Sequence, residues 1–161
     1  MKAILQRCRD ASVSVDGKVV GKCEHGLLIL LGVANGDTEA EAETLAAKAS
    51  KLRIFEDDNG KMNLSVADVG GSVLLVSQFT LLANCQKGNR PDYFGAASPS
   101  EADRLYEYFG EKLRETGLHV ETGIFGADMK VRFMNDGPVT IILDSDDLKK
   151  KKVPVATAKG E

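Results

Sequence analysis

Val73-Leu74-Leu75-Val76-Ser77-Gln78-Phe79-Thr80-Leu81 is an apolar run that turns polar toward its C-terminal end. Residues 73–76 are apolar without alternation and follow Gly70-Gly71, the pattern of a short strand buried on both faces. In layered α/β domains the ends of such strands hold side chains and backbone amides rigidly enough to meet a ligand. Ser77, Gln78 and Thr80 are the first site candidates on that ground. The same residue types also serve as turn residues that satisfy local backbone groups.

Upstream, residues 3–15 alternate, with Ala11, Val13 and Val15 set against Ser12 and Ser14, and read as a strand. Asp16-Gly17 is a favoured two-residue hairpin turn, and residues 18–23 are expected to return as the partner strand. Residues 26–33 read as a third, fully buried strand. Thr38-Glu39-Ala40-Glu41 is a capping box. Ala42, Leu45, Ala46, Ala49 and Leu52 follow at helical spacing and predict a helix over 39–53 laid on a sheet. Residues 55–63, with Asp58-Asn59-Gly60 at the tip, form a hairpin or loop without the ligand spacing of a calcium site.

Downstream, Lys87-Gly88-Asn89-Arg90-Pro91 is a basic segment suited either to phosphate or to plain solvent. Ser98-Pro99-Ser100-Glu101 reads as a second capping box with proline at the first helical position. Ala102, Leu105, Tyr106, Phe109 and Leu113 form the buried stripe of that helix, and Gly117 closes it. Residues 119–122, 129–135 and 139–144 predict three more strands, the last two being core strands joined by a turn at Asp136-Gly137-Pro138. Gly-Pro is ordinary turn punctuation, but an X-Pro bond can also be cis and fix two carbonyls in an unusual direction. The order strands, helix, strand, helix, strands fits one α/β domain, with the chain after Asp144 a weakly ordered appendage.

The 161 residues, 43% hydrophobic and 28% charged, suffice for one core. No apolar run approaches the roughly 18 residues of a membrane span, and charge returns too early at Arg7 for a secretory leader, so a soluble intracellular protein is expected. Cys8, Cys23 and Cys85 show no metal or disulfide spacing, and His25 and His119 stand alone, which argues against a zinc site or a histidine triad. The net charge of −3 is divided along the chain. The last 13 residues hold five lysines and one acid, net +4, and the preceding 148 hold 16 bases and 23 acids, net −7. A body that acidic does not grip nucleic acid through a broad basic surface; contact is confined to a local site or to the tail.

Ser77-Gln78-Phe79-Thr80-Leu81 followed by Asn135-Asp136-Gly137-Pro138-Val139-Thr140 resembles the D-aminoacyl-tRNA deacylase family. The resemblance extends from Met1-Lys2-Ala3 through Leu52-Arg53-Ile54-Phe55-Glu56-Asp57, Gly60-Lys61-Met62-Asn63-Leu64-Ser65 and Phe125-Gly126-Ala127 to Ile142-Leu143-Asp144. It implies a single three-layer α/β/β domain over residues 1–148, a basic tail over 149–161, and a cytoplasmic homodimer with active sites at the subunit interface. It implies no cofactor, no metal and no membrane, with the 3′ end of aminoacyl-tRNA as partner. Ser77, Gln78, Phe79 and Thr80 would form the catalytic pocket, and Gly137 and Pro138 of the other subunit, joined by a cis bond, would be a chiral filter that rejects L-aminoacyl esters and passes glycine. Asn135, Phe125, Met129, Lys87 and Arg90 would bind substrate. Asn89 and Asp92 depart from the family pattern, where a basic and a small polar residue are usual.

An aminoacyl ester is an activated acyl group, so its cleavage chiefly needs a positioned water and oxyanion donors. Backbone amides near residues 78–80 would supply the donors, with the substrate's ribose hydroxyl managing the proton. Thr80 as a covalent nucleophile is the less favoured route, because a threonine hydroxyl needs an adjacent base. Two other readings stay open: a nucleic-acid-binding protein acting through its basic tail, and a related editing deacylase with a trans Gly-Pro.

Overall fold

The computed structural model describes residues 1–149, so all of the expected tail but Lys149 lies outside the described residues. The elements in chain order are β1 (Lys2–Val15), β2 (Lys18–Gly32), α1 (Glu39–Lys51), β3 (Phe55–Glu56), β4 (Met62–Leu64), β5 (Ser72–Ser77), a 3₁₀ turn (Phe79–Leu82), α2 (Pro99–Glu115), β6 (Val120–Thr122), β7 (Lys130–Asp144) and α3 (Ser145–Lys149). Five strands form one sheet in the order β6-β5-β2-β1-β7, and β3 and β4 form a separate hairpin. β2, β5 and β6 run parallel, so helices must carry the chain back between them, and α1 and α2 do so. β1 is antiparallel to both β2 and β7.

The hairpin at Asp16-Gly17 forms as expected, with both residues at positive φ (50° and 76°). The two strands expected over 18–23 and 26–33 are instead one, paired with β1 from Lys18 to Gly32. Gly26 interrupts the pattern for another reason. It has φ +152°, and a Cβ there would stand 1.9 Å from the Ser72 carbonyl oxygen at the start of the β2–β5 pairing.

β5 lacks alternation because both of its faces are covered. Val73 and Leu75 join Leu27, Ile29 and Leu31 under the helices, against Ala42, Leu45, Ala46 and Ala49 of α1 and Leu105, Phe109 and Leu113 of α2. Leu74 and Val76 face the other way and pack with Leu28, Cys8, Ala11, Val13 and Cys23. Cys8 and Cys23 are free buried thiols with sulfurs 4.0 Å apart.

The first capping box is present: Glu41 accepts the Thr38 N–H at 2.6 Å, and Thr38 Oγ1 accepts the Ala40 N–H at 3.3 Å. The second is not. Ser98 makes no side-chain cap, its hydroxyl lying 3.5 Å from that of Ser100, and Glu101 pairs with Arg104 (2.9 Å), which also pairs with Glu39 of α1. Pro99 opens α2 and Gly117, at φ +94°, ends it, as expected.

The chain just after Asp144 is also firmer than expected. Ser145 is buried, its Oγ accepts from the Met1 ammonium at 2.9 Å, and that ammonium also pairs with Asp37 at 2.8 Å. Lys149 pairs with Glu41, tying α3 to the start of α1. Lys149 and the Thr38 donors hold the Glu41 carboxyl down at about 2 from its ordinary 4.5. A lowered carboxyl stabilises the fold fully above about pH 4.5 and loses that contribution as pH falls toward 2. Glu41→Gln is expected to lower stability by about 2 kcal/mol at neutral pH, after allowance for the exposed lysine. The gap from wild type should close below pH 4.5 in urea titrations; a gap independent of pH would remove Glu41 from that role.

Candidate active site

Beyond the C-terminal end of β5 lies a cavity of about 540 Å³ lined by Ser77, Gln78 and Phe79, with Phe125 and Met129 on the opposite wall. Leu31, Val33, Val76 and Val131 add apolar surface, and Tyr93, Tyr106 and the carboxylate-bearing Asp128 also line it. This size and largely carbon surface suit an organic ligand held by a few polar groups. Phe79 and Tyr93 meet edge to face with ring centroids 5.0 Å apart, and Tyr106 and Phe125 lie 6.0 Å apart. The Tyr106 hydroxyl donates to the Leu75 carbonyl at 2.9 Å, and burial pushes its pKa up to about 12, so it remains a neutral wall and no base.

The polar groups are concentrated in the turn after β5. The Gln78 N–H donates to the Leu31 carbonyl at 2.8 Å, which anchors the turn to β2 and removes that amide from the candidate donors. The Leu81 and Ala83 amides donate within the turn, to Gln78 and Thr80. The Phe79 and Thr80 amides come before the turn's first internal donor, Leu81, and are not used by its hydrogen bonds; Phe79 lines the cavity and Thr80 lies just beyond the lining. The Thr80 hydroxyl accepts from the Gln78 side-chain amide, a donor that cannot take a proton from it.

Gly137-Pro138 is not a turn between core strands. β7 is a single edge strand, because β1 offers it a continuous partner on both sides of the motif. Gln6 pairs with Thr140 and Cys8 with Asn135, so residues 136–139 bulge outward opposite Arg7 alone. The Gly137-Pro138 bond is cis, and Gly137 has φ +142°. A Cβ at Gly137 would lie 2.8 Å from Val139 Cγ2 and 3.0 Å from Arg7 Nη2.

Asn135 is placed at the base of this bulge and not in the cavity of its own chain. Its Oδ1 accepts the Val139 N–H at 2.7 Å, and its Nδ2 donates to Gln6 Oε1 at 2.7 Å and Thr140 Oγ1 at 3.1 Å. Buried Arg7 holds the other side, donating from Nε to the Asp136 carbonyl (2.7 Å) and from Nη1 to the Ile54 carbonyl (2.9 Å). Arg9 pairs with the Asp136 carboxylate at 3.2 Å.

Lys87 and Arg90 are exposed on a loop closed by reciprocal Asn84–Asp92 backbone hydrogen bonds of 2.8 and 3.0 Å. Neither reaches the cavity; Tyr93, just beyond them, does. His119 is exposed and bonded to Glu121 at 2.8 Å, and His25 packs on Phe55, both away from the cavity. Among the described residues no three His, Cys, Asp or Glu side chains converge as metal ligands, and no helix is long and apolar enough to cross a membrane.

Sequence reasoning missed Arg7, Tyr93 and Tyr106. For Arg7 a signal existed, since it shares the buried phase of Ala3 and Leu5 along β1.

The profile of the D-Tyr-tRNA(Tyr) deacylase family matches residues 4–144. The chain belongs to that family. The deacylase is 57% identical over 145 residues to the D-aminoacyl-tRNA deacylase of Brevibacillus brevis, covering 90% of this chain and 100% of that one. It is 59% identical over 144 residues to the D-aminoacyl-tRNA deacylase of Rhodopirellula baltica, covering 89% and 99%. Among solved structures, the deacylase is similar to a c-Myc DNA unwinding element binding protein (TM-score 0.84, 43% identity, 89% and 98% of the two chains). A probable eukaryotic D-amino acid tRNA deacylase shares the fold (TM-score 0.75, 17% identity, 88% and 97%).

Proposed function

We propose that this deacylase hydrolyses the ester of D-aminoacyl-tRNA in the cavity beyond β5. The observation that carries the reading is the Ser77-Gln78-Phe79 wall of a cavity of about 540 Å³, followed directly by a turn whose own hydrogen bonds leave the Phe79 and Thr80 amides unused. Water adds to the ester carbonyl carbon and the two amides stabilise the resulting oxyanion. The bond from carbon to the ribose oxygen then breaks, the departing ribose oxygen takes up the proton that the attacking water gave up, and the products are the free amino acid and tRNA with its terminal hydroxyls restored. A neighbouring ribose hydroxyl relays the proton, since the cavity lining offers no histidine, its one carboxylate, Asp128, is exposed and paired with Lys130 at 3.1 Å, and the Tyr106 hydroxyl is bonded to the Leu75 carbonyl. Thr80 as nucleophile lacks a proton acceptor, because its hydroxyl partner is the Gln78 amide.

The active unit in this reading is a homodimer of three-layer α/β/β domains working in the cytoplasm, where aminoacyl-tRNA is used for translation. Burial on both faces of β5 supports the layering. The edge position of β7, with Phe133, Met134 and Ile142 exposed by 38, 57 and 71%, supports pairing of two copies through that face. Gly137 and Pro138 bulge from this edge outside their own chain's cavity, which suits a filter that acts in the partner's pocket. Crowding by their backbone excludes an L side chain and admits D substrates and glycine, so glycyl-tRNA(Ala) is a second substrate. Phe125 and Met129 hold the terminal adenosine in the cavity, and Lys87 and Arg90 meet backbone phosphate outside it. Asn135 acts on substrate through the bulge it braces. Residues 1–148 form the catalytic domain, and the basic tail over 149–161 is dispensable for it.

The test is hydrolysis of matched D- and L-aminoacyl-tRNA by the wild type, by Thr80→Val and by a chain ending at residue 148. Loss of the D ester alone, with both variants within about tenfold of wild type, is the expected result. Complete inactivity of Thr80→Val would restore the nucleophile. An activity that disappears with the tail would favour a nucleic-acid-binding protein, a reading in keeping with the likeness to a c-Myc DNA unwinding element binding protein.

A further inference from the structure

The loop that delivers Tyr93 to the cavity leaves its neighbour Phe94 87% exposed, more than any other large apolar side chain among the described residues. A ring left in water is usually mounted on a loose loop; this one is not. Asn35 Nδ2 donates to the Phe94 carbonyl at 2.7 Å, the Phe94 N–H donates to Asp92 Oδ1 at 3.3 Å, and the Asn35 N–H donates to the Gly95 carbonyl at 2.9 Å. An Ala34–Ala96 bridge fixes the next residue. Tyr93, Ala96 and Ala97 line the cavity, so Phe94 stands at its rim, on the same segment as Lys87 and Arg90.

We propose that Phe94 is a stacking platform for an unpaired nucleobase adjoining the terminal aminoacyl nucleotide. This rests on the deacylase reading and extends it from the terminal nucleoside to the strand behind it. Every base offers a π face, so a rigid exposed aromatic binds single strands without regard to sequence, and nearby cations meet the phosphates between bases. Lys87 and Arg90 carry that charge on an otherwise acidic body. Asp92 contributes by accepting the Phe94 N–H and fixing the ring's backbone.

The experiment compares kcat and KM for D-aminoacyl-tRNA and for D-aminoacyl-adenosine, which has no second nucleotide, in the wild type, Phe94→Ala and Phe94→Trp. Phe94→Ala is expected to raise KM for the tRNA substrate about tenfold at unchanged kcat, and Phe94→Trp to restore it. Both variants should treat D-aminoacyl-adenosine as the wild type does. An unchanged KM on tRNA, or an equal loss on both substrates, would overturn the proposal. A change of sedimentation coefficient in Phe94→Ala would overturn it too, by assigning the ring to a contact between copies. Failure of the wild type to cleave either substrate would instead sink the deacylase reading itself.

Discussion

Phe79→Pro is expected to lower kcat on D-aminoacyl esters by about 10²- to 10³-fold, the loss that follows removal of one oxyanion donor. The substitution deletes a backbone N–H at the first position of the 3₁₀ turn, where proline's fixed φ is compatible and no internal hydrogen bond is given up. Gln78, at φ −148° and ψ 82°, already lies outside the helical region that a following proline disfavours. The ring is lost as well, and with it the edge-to-face contact to Tyr93. Phe79→Ala separates the two effects, because it removes the ring and keeps the amide. The expected pattern is a modest rise in KM for alanine and a collapse of kcat for proline, read by single-turnover hydrolysis. Equal kinetics in the two variants would show that the Phe79 amide stabilises nothing in the transition state.

Arg7→Met is expected to destabilise the protein by about 2–3 kcal/mol and to blur its discrimination between D and L esters. The guanidinium is 6% exposed and donates to two carbonyls from distant parts of the chain, Ile54 at 2.9 Å and Asp136 at 2.7 Å. Among the described residues every buried side-chain nitrogen and oxygen has a partner. Methionine fills similar space without the donors, so both carbonyls lose theirs; water can reach Asp136 through the pocket of about 280 Å³ that Arg7, His25 and Glu56 line with it, and the buried Ile54 carbonyl carries most of the cost. Relief from burying a charge works in the opposite direction and keeps the net loss moderate. The selectivity effect follows from position, since Asp136 immediately precedes Gly137 and Arg7 Nη2 lies 3.0 Å from where a Gly137 Cβ would stand. Urea titration measures the first effect and matched D and L esters the second. An unchanged midpoint would mean that water replaces the guanidinium at little cost.

Where structure depends on neighbours a few residues away, the sequence was readable. Thr38 and Glu41 lie within one turn and form their box, and the stripe from Ala102 to Leu113 is buried as its spacing requires. Ser77, Gln78 and Phe79 line the cavity because the strand before them is covered on both faces, a condition written in the unbroken run from Val73 to Val76. Distant partners decided the rest. Glu101 pairs with Arg104, whose second partner Glu39 is 65 residues away. Gly26 looks like a break until Ser72 stands against it, and Gly137-Pro138 looks like a turn until β1 runs past both halves of β7. Tyr93 enters the cavity on a loop closed by Asn84 and Asp92, a pairing that no local pattern announces. Thr80, Lys87, Arg90, Asn135, Gly137 and Pro138 are not among the residues that line the cavity of this chain.

The pairing of β1 with β7 joins Lys2 to Asp144, so among the described strands the earliest in the chain is completed by the latest. Throughout translation the outer edge of β1 therefore waits with its backbone amides and carbonyls unpaired, an open template for another nascent chain. The bulge that carries Gly137 and Pro138 exists only once this final strand is laid down. Its formation depends on contacts of very long sequence separation, the kind that slows folding most. A chain stopped short of β7 lacks Val139 and Leu143 of the core and Val131 of the cavity lining and leaves that edge exposed, which makes truncated or stalled copies prone to aggregate rather than to act as partial enzymes.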